Sequence, residues 1–216
     1  MIDIVYEDSE ILLINKAAGV SVQGGVGIAH PLDEELAKQV GYKVHLVHRL
    51  DRETSGLLVV AKNPQAAKKW ISLIAGKQVQ KEYTALCFGM PVLNGKEAKK
   101  GTITDSVTKQ GREQSAVTHF VVEETQSAQG FVISRLHLVL GTGRMHQIRI
   151  HLAHAACPII ADDKHGNFKL NKLAKKMLKI KTLCLAATKI TLPIGGKPRT
   201  FEVELPAHML NLGITT

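Results

Sequence analysis

The chain is short of cysteine and of aromatic residues, and it has no long apolar run. Its cysteines, Cys87, Cys157 and Cys184, stand far apart with no CxxC pair, which excludes a zinc ribbon or a redox dithiol. An odd cysteine count without an export signal points to a reducing cytoplasm. Charges interrupt every apolar stretch before it reaches membrane-spanning length, so no membrane partner is expected. HExxH is missing, and His146, His151 and His154 match no common zinc spacing, so no metal is expected. Gly141-Thr142-Gly143 is not a P-loop, because no GK[ST] follows it. A hydrolase acting on nucleosides or glycosides would carry two working carboxylates or a metal-binding Asp cluster, and Asp162-Asp163 is too isolated to serve.

What is present is a basic chain with an ordinary core. It has 216 residues, suited to one domain spanning 1–216, and hydrophobic residues make up 44%. Lys and Arg number 28 against 19 Asp and Glu, a net +9, which favours a polyanionic partner. Charge alone does not decide between a nucleic-acid binder and a merely basic protein.

The hydrophobic pattern gives the organisation. Residues 2–6 and 11–14 read as strands and 19–27 as a Gly-rich loop. The segment 33–40 reads as a helix stopped by Gly41, with Leu32, Leu36, Ala37 and Val40 on one face. Residues 57–61 form a continuous apolar run, as in a buried strand. Asn63-Pro64 starts a helix, with Ala67, Trp70, Ile71 and Ile74 on one face. Residues 81–88 read as an alternating strand, and 94–114 as a solvated loop or irregular hairpins. Strands return at 116–122 and 131–140. A helix is expected at 144–155, and two further strands at 183–192 and 200–205. Strands in groups with few helices argue for an α+β fold with a mainly antiparallel mixed sheet.

Three stretches can carry chemistry. In His48-Arg49-Leu50-Asp51-Arg52-Glu53-Thr54-Ser55-Gly56, a carboxylate sits between two arginines at the mouth of a buried strand. Flanking cations favour its ionised form, which suits nucleophilic or electrostatic work at a sugar anomeric carbon. Taken alone, a surface ion pair fits the same residues better. In the run from Gly141 to His151, a helix would put His146, Arg149 and Ala153 on one face. Arg149 would then reach an acidic partner while Arg144 and His146 reach phosphate. Tyr83 can stack on a base or relay a proton, or it can be an ordinary core tyrosine. Beyond these, Lys164, Lys169, Lys172, Lys175, Lys176, Lys179 and Lys181 interleave with Leu170, Leu173, Met177, Leu178 and Ile180. That pattern fits an amphipathic basic helix suited to an RNA backbone or an anionic surface, and it fits a merely solvated face as well.

These motifs resemble those of the RluA-type RNA pseudouridine synthases over nearly the whole chain. The matching segments are Asn15-Lys16 with Gly19, then His48-Arg49-Leu50-Asp51 with Thr54-Ser55-Gly56, then Lys81-Glu82-Tyr83, then Thr142 to His151, and finally Pro158-Ile159-Ile160 with Asp162. The resemblance implies a pseudouridine synthase fold and an isomerase that needs no cofactor. It makes Asp51 the catalytic aspartate, Tyr83 a stacking partner of the uracil that helps deprotonate C5, and Arg149 a partner of Asp51. Arg49 would enter the RNA beside the extruded nucleotide, and Leu185 would line the uracil pocket. Arg49, Arg52, Arg144, His146, Lys169, Lys172, Lys175 and Lys176 are the expected RNA contacts. The expected partner is structured RNA, large-subunit ribosomal RNA slightly ahead of transfer RNA, bound by a monomer. The chain departs from the family pattern at Ala17, Cys157, Ala161, His165 and Ala186, none of which is in the implied catalytic trio. The small S4-type RNA-binding domain that precedes many relatives is expected to be absent. The rival class is a non-catalytic RNA-binding or ribosome-assembly protein, which would be expected to lose Asp51, Tyr83 or Arg149.

Overall fold

The structure, a computed structural model, describes residues 1–25, 27–109 and 111–210. In chain order its elements are β1 (Asp3–Glu7), β2 (Ile11–Lys16), α1 (Leu32–Val40), β3 (His45–Leu46), β4 (Ser55–Ala61), α2 (Pro64–Ala75), β5 (Gln80–Phe88), β6 (Val92–Leu93), β7 (Lys96–Glu97), β8 (Lys100–Lys109) and β9 (Arg112–Ala128). They continue with β10 (Phe131–Leu140), α3 (Gln147–His154), α4 (Phe168–Met177), β11 (Leu185–Ile194), β12 (Lys197–Glu202) and α5 (Ala207–Leu210). The chain forms two compact units: Met1–Lys81 with Ala187–Glu204, and Glu82–Ala186 with Leu205–Thr216.

In the first unit β2 pairs antiparallel with both β1 and β4, β11 lies next to β4, and β12 pairs with β11. Every residue of β4 is buried, as the unbroken apolar run from Leu57 to Ala61 within it requires. Ile11, Leu13, Leu57, Val59, Ile190 and Leu192 pack with Trp70 of α2 into one core. Asn63 caps α2 by accepting from the Ala66 N–H at 2.8 Å, and Pro64 opens the helix. The α2 face differs from the expected one at Ile71, which is 49% exposed. Ala66 takes the buried place, because α2 is anchored through Trp70 Nε1, which donates to Glu10 at 3.0 Å.

Gly56 shows why this strand begins as it does. Its φ is +106°, and a Cβ there would lie 2.2 Å from the Ala187 carbonyl oxygen. Only glycine allows β4 and β11 to approach that closely.

The second unit is an antiparallel sheet in the order β5-β10-β9-β8. Residues 94–114 are not mainly a loop. A short hairpin of β6 and β7 is followed by β8, a ten-residue strand that runs antiparallel along β9. Lys and Gly depress strand propensity locally, but ladder pairing against β9 overrides them. Position 26 of the Gly-rich loop and position 110 of this stretch lie outside the described residues. β5 is buried continuously from Tyr83 to Phe88 rather than alternating, as befits a strand covered on both faces. The helix expected from residue 144 begins at Gln147, because His146 adopts a left-handed conformation at φ 54°. His146 is therefore the cap, and does not share a helical face with Arg149 and Ala153. The α+β class and the antiparallel character stand as expected. Among the described residues no helix is long and apolar enough to cross a membrane.

Candidate active site

In the first unit the motif around Asp51 is a tight turn. The Thr54 N–H donates to the Asp51 carbonyl at 3.1 Å, just before β4 begins. A second loop is stapled beneath it. The Gly19 N–H donates to the Arg52 carbonyl at 2.9 Å, and Arg52 Nε returns a bond to the Gly19 carbonyl at 3.0 Å. Arg52 also lies 3.5 Å from Glu53, and its side chain is mostly exposed. Arg49 is exposed as well.

The anchor of this arrangement is Lys16, which is 1% exposed. Its ammonium donates to the carbonyls of Ala17 and Val20 at 2.9 Å and of Arg52 at 3.0 Å. Burial lowers its pKa to about 8, against the opposing pull of Glu53 and Asp51. A cation held under the turn therefore feels the Asp51 carboxylate. The flanking Arg49 and Arg52, by contrast, are exposed to solvent. Lys16 carried a signal in the sequence: it ends an apolar strand in phase with the buried Leu12 and Ile14.

His48 fixes the other side of the turn. Its Nε2 accepts from the Val59 N–H at 3.1 Å, so the proton of the neutral ring is on Nδ1. Burial and the Lys81 ammonium push its pKa down to about 3, and it stays neutral at physiological pH.

In the second unit Arg149 projects from α3 and is 7% exposed. Its Nε and terminal nitrogen donate to the two oxygens of Asp162 at 2.9 and 2.7 Å, a bidentate pair. Asp162 also accepts from the N–H groups of Lys164 and His165 at 3.1 and 3.0 Å. Burial pushes the Asp162 carboxyl upward. Arg149 and these N–H groups outweigh that and hold it below the ordinary carboxylate range. Arg149 thus has an inward acidic partner in Asp162, a residue other than the Asp51 that the family resemblance implies. Asp162 belongs to one of the motif segments, but no local pattern shows that its carboxylate will face an arginine thirteen positions away.

The turn before α3 is organised by Gln147. Its amide nitrogen donates to the Val117 carbonyl and to Thr118, and its oxygen accepts from Thr142 Oγ1 at 2.6 Å and from the Arg144 N–H at 3.0 Å. This explains why Thr142 and Gln147 flank the arginine and histidine of that run. Arg144 is exposed and donates to the Ser115 carbonyl at 3.4 Å. His146 Nδ1 lies 2.8 Å from His165 Nε2, with the rings edge to face. Burial lowers the His165 pKa, against the pull of Asp162.

Tyr83 sits in β5, 6% exposed, opposite Leu138 of β10. Leu185 opens β11 and is also buried. On α4, Lys169, Lys172, Lys175 and Lys176 are all exposed, while Asn171 and Ala174 face inward. Asn171 ties the helix to the Arg149 site by donating to the Asp162 carbonyl at 2.9 Å.

Comparison with known proteins agrees with this fold and these motifs. Residues 10–154 match the family model described as RNA pseudouridylate synthase. The ribosomal large subunit pseudouridine synthase C of Rickettsia felis is 37% identical over 218 residues, which cover 95% of this chain and 68% of that protein. The ribosomal large subunit pseudouridine synthase D of Buchnera aphidicola subsp. Acyrthosiphon pisum is 30% identical over 239 residues, covering 98% and 72%. Among solved structures, human RNA pseudouridylate synthase domain containing 4 superposes with a TM-score of 0.77 at 25% identity, covering 97% of this chain and 90% of that one. The chain belongs to the RNA pseudouridylate synthase family. Its activity is the isomerisation of uridine to pseudouridine in RNA.

Proposed function

We propose that the substrate is a uridine in large-subunit ribosomal RNA, that residues 1–216 act as one catalytic domain in the cytoplasm, and that Asp51 is the catalytic carboxylate. The observation that carries the catalytic assignment is the Asp51 turn, bonded to the neighbouring loop and underlain by the buried Lys16 ammonium. A turn held this rigidly keeps a carboxylate in place for attack. The ribosomal target is supported by the names of the relatives from Rickettsia felis and Buchnera aphidicola.

The reaction breaks the N1–C1′ bond, leaving its electron pair on uracil and positive character on the sugar. Asp51 answers that charge, either by bonding C1′ or by taking a 2′ proton. The uracil rotates and C5 bonds to C1′, either breaking the Asp51–C1′ bond or with Asp51 returning its proton to C2′; the C5 proton then leaves to Tyr83 or a water while N1 gains one. No electrons enter or leave, so the bookkeeping requires no redox partner. A paired uridine must first be flipped out, at a cost of about a few kcal/mol. Arg49 entering the vacated space would offset part of this. We assign Arg149, held by Asp162, to the catalytic residues, and Leu185 to the uracil pocket. The exposed Arg52, Arg144 and α4 lysines, and the half-buried His146, are assigned to phosphates.

Pseudouridine mapping in cells with and without the gene identifies the RNA. Loss of a site in large-subunit rRNA is expected; loss confined to tRNA would refute the ribosomal assignment. Asp51→Asn should abolish tritium release from 5-tritiated uridine RNA while sparing RNA binding, and retained turnover would remove Asp51 from the chemistry. Tyr83→Phe should slow release, whereas an unchanged rate excludes a proton role for its hydroxyl.

A further inference from the structure

A cavity of about 380 Å³ opens beside the Asp51 turn, entirely within the first unit. It lies between the loop after β2 and the segment from Leu46 to Arg52. Its volume falls in the range of small-ligand sites. Val22, Ile28, Leu46 and Leu50 give it apolar walls, and the neutral His48 ring adds an uncharged one. Gln23 supplies an amide that can both donate and accept. Arg49 and Arg52 line it as well. Arg52 Nε is already spent on the Gly19 carbonyl, which fixes the guanidinium near the cavity with four further N–H donors, although Glu53 competes for its charge.

Asp51 does not itself line the cavity, but the residues on either side of it, Leu50 and Arg52, do. Consecutive Cα atoms are about 3.8 Å apart, so the cavity begins one residue away from the carboxylate. An RNA strand whose C1′ sits at Asp51 has to continue past one side of that turn. Apolar walls, a hydrogen-bonding amide and adjoining arginines suit a nucleobase with its phosphate.

We propose that this cavity receives the nucleobase next to the isomerised uridine, with Arg52 on the phosphate that joins the two nucleotides. The inference rests on the assignment of Asp51 as the catalytic carboxylate. It makes the cavity a determinant of sequence context, distinct from the pocket that takes the target uracil. Ile28 is half-buried on the loop wall, so Ile28→Trp fills the space without altering a strand.

The test uses a stem-loop of large-subunit rRNA around the mapped uridine, in three forms: intact, abasic on the 5′ side, and abasic on the 3′ side. Tritium release by the unaltered enzyme on the intact RNA reports on the Asp51 assignment; differences among the three RNAs report on the cavity. One abasic form should lower kcat/KM about tenfold, the loss expected for one stacked base. Ile28→Trp should lower kcat/KM about tenfold on intact RNA and have no further effect on that abasic form. Equal losses from Ile28→Trp on all three RNAs, or no loss from either abasic site, would overturn the proposal. Circular dichroism melting checks the variant's fold. Should Ile28→Trp fail to fold, Gln23→Ala in the same cycle decides: coupling to one abasic position supports the cavity, and independence from both overturns it.

Discussion

At the scale of single residues, burial decides which charged groups matter. Arg149 and Asp162 are both nearly sealed from solvent, and each satisfies the other through two short bonds. Removing one member of such a pair leaves the other charge without its main compensation. Asp162→Asn should cost about 3 kcal/mol of stability, measured by urea unfolding, and should lower kcat. Exposed pairs such as Lys38–Glu35 deserve no such expectation, since both side chains are in water. Gly56 is the residue at which one added methyl does most harm. Gly56→Ala would drive a Cβ into the Ala187 carbonyl and should destabilise by about 3 kcal/mol or more, read as a lowered denaturant midpoint with unchanged slope.

At the scale of elements, α4 separates stability from binding. Its inward face holds Asn171 and Ala174, while Lys169, Lys172 and Lys176 form a stripe toward solvent. Reversing these three to Glu should leave the melting temperature unchanged. It should weaken RNA binding and reduce the slope of log K against log salt by about 0.7 to 0.9 per lost phosphate contact. An unchanged slope would make this helix a solvated face and nothing more. Elements with strong local signals were legible in the sequence: α2 from Asn63-Pro64, α1 from Gly41, β4 and β10 from their apolar patterns. Those that depend on a distant partner were not. β8 exists because β9 pairs with it, and the late start of α3 follows from His146 in the left-handed region. Neither the ladder nor the dihedral leaves a mark on the local sequence.

At the scale of the whole molecule, buried titratable groups set the response to acid. Folded His48 has a pKa near 3, below its ordinary value, so between about pH 6.5 and 3 the unfolded chain binds the extra proton. Stability should therefore fall as pH drops through that window. The depressed carboxyl of Asp162 acts in the same sense, its contribution present above the ordinary Asp range and lost as pH falls through its folded value. Lys16 acts at the other end: with a folded pKa of about 8 against about 10.5 unfolded, it makes stability rise with pH across that interval. Unfolding measured across pH should show the acid loss, and His48→Gln should flatten its upper part. The sequence by itself determined the family and the α+β class, and it singled out Asp51, Tyr83 and Arg149 as the candidates proposed for the chemistry, because motif residues and apolar periods are local. Only the tertiary structure decided that Lys16 underlies the Asp51 turn, that Asp162 holds Arg149, and that a cavity opens beside Arg52. Each of these is a meeting of side chains or loops far apart in the chain, and burial rather than sequence sets its strength.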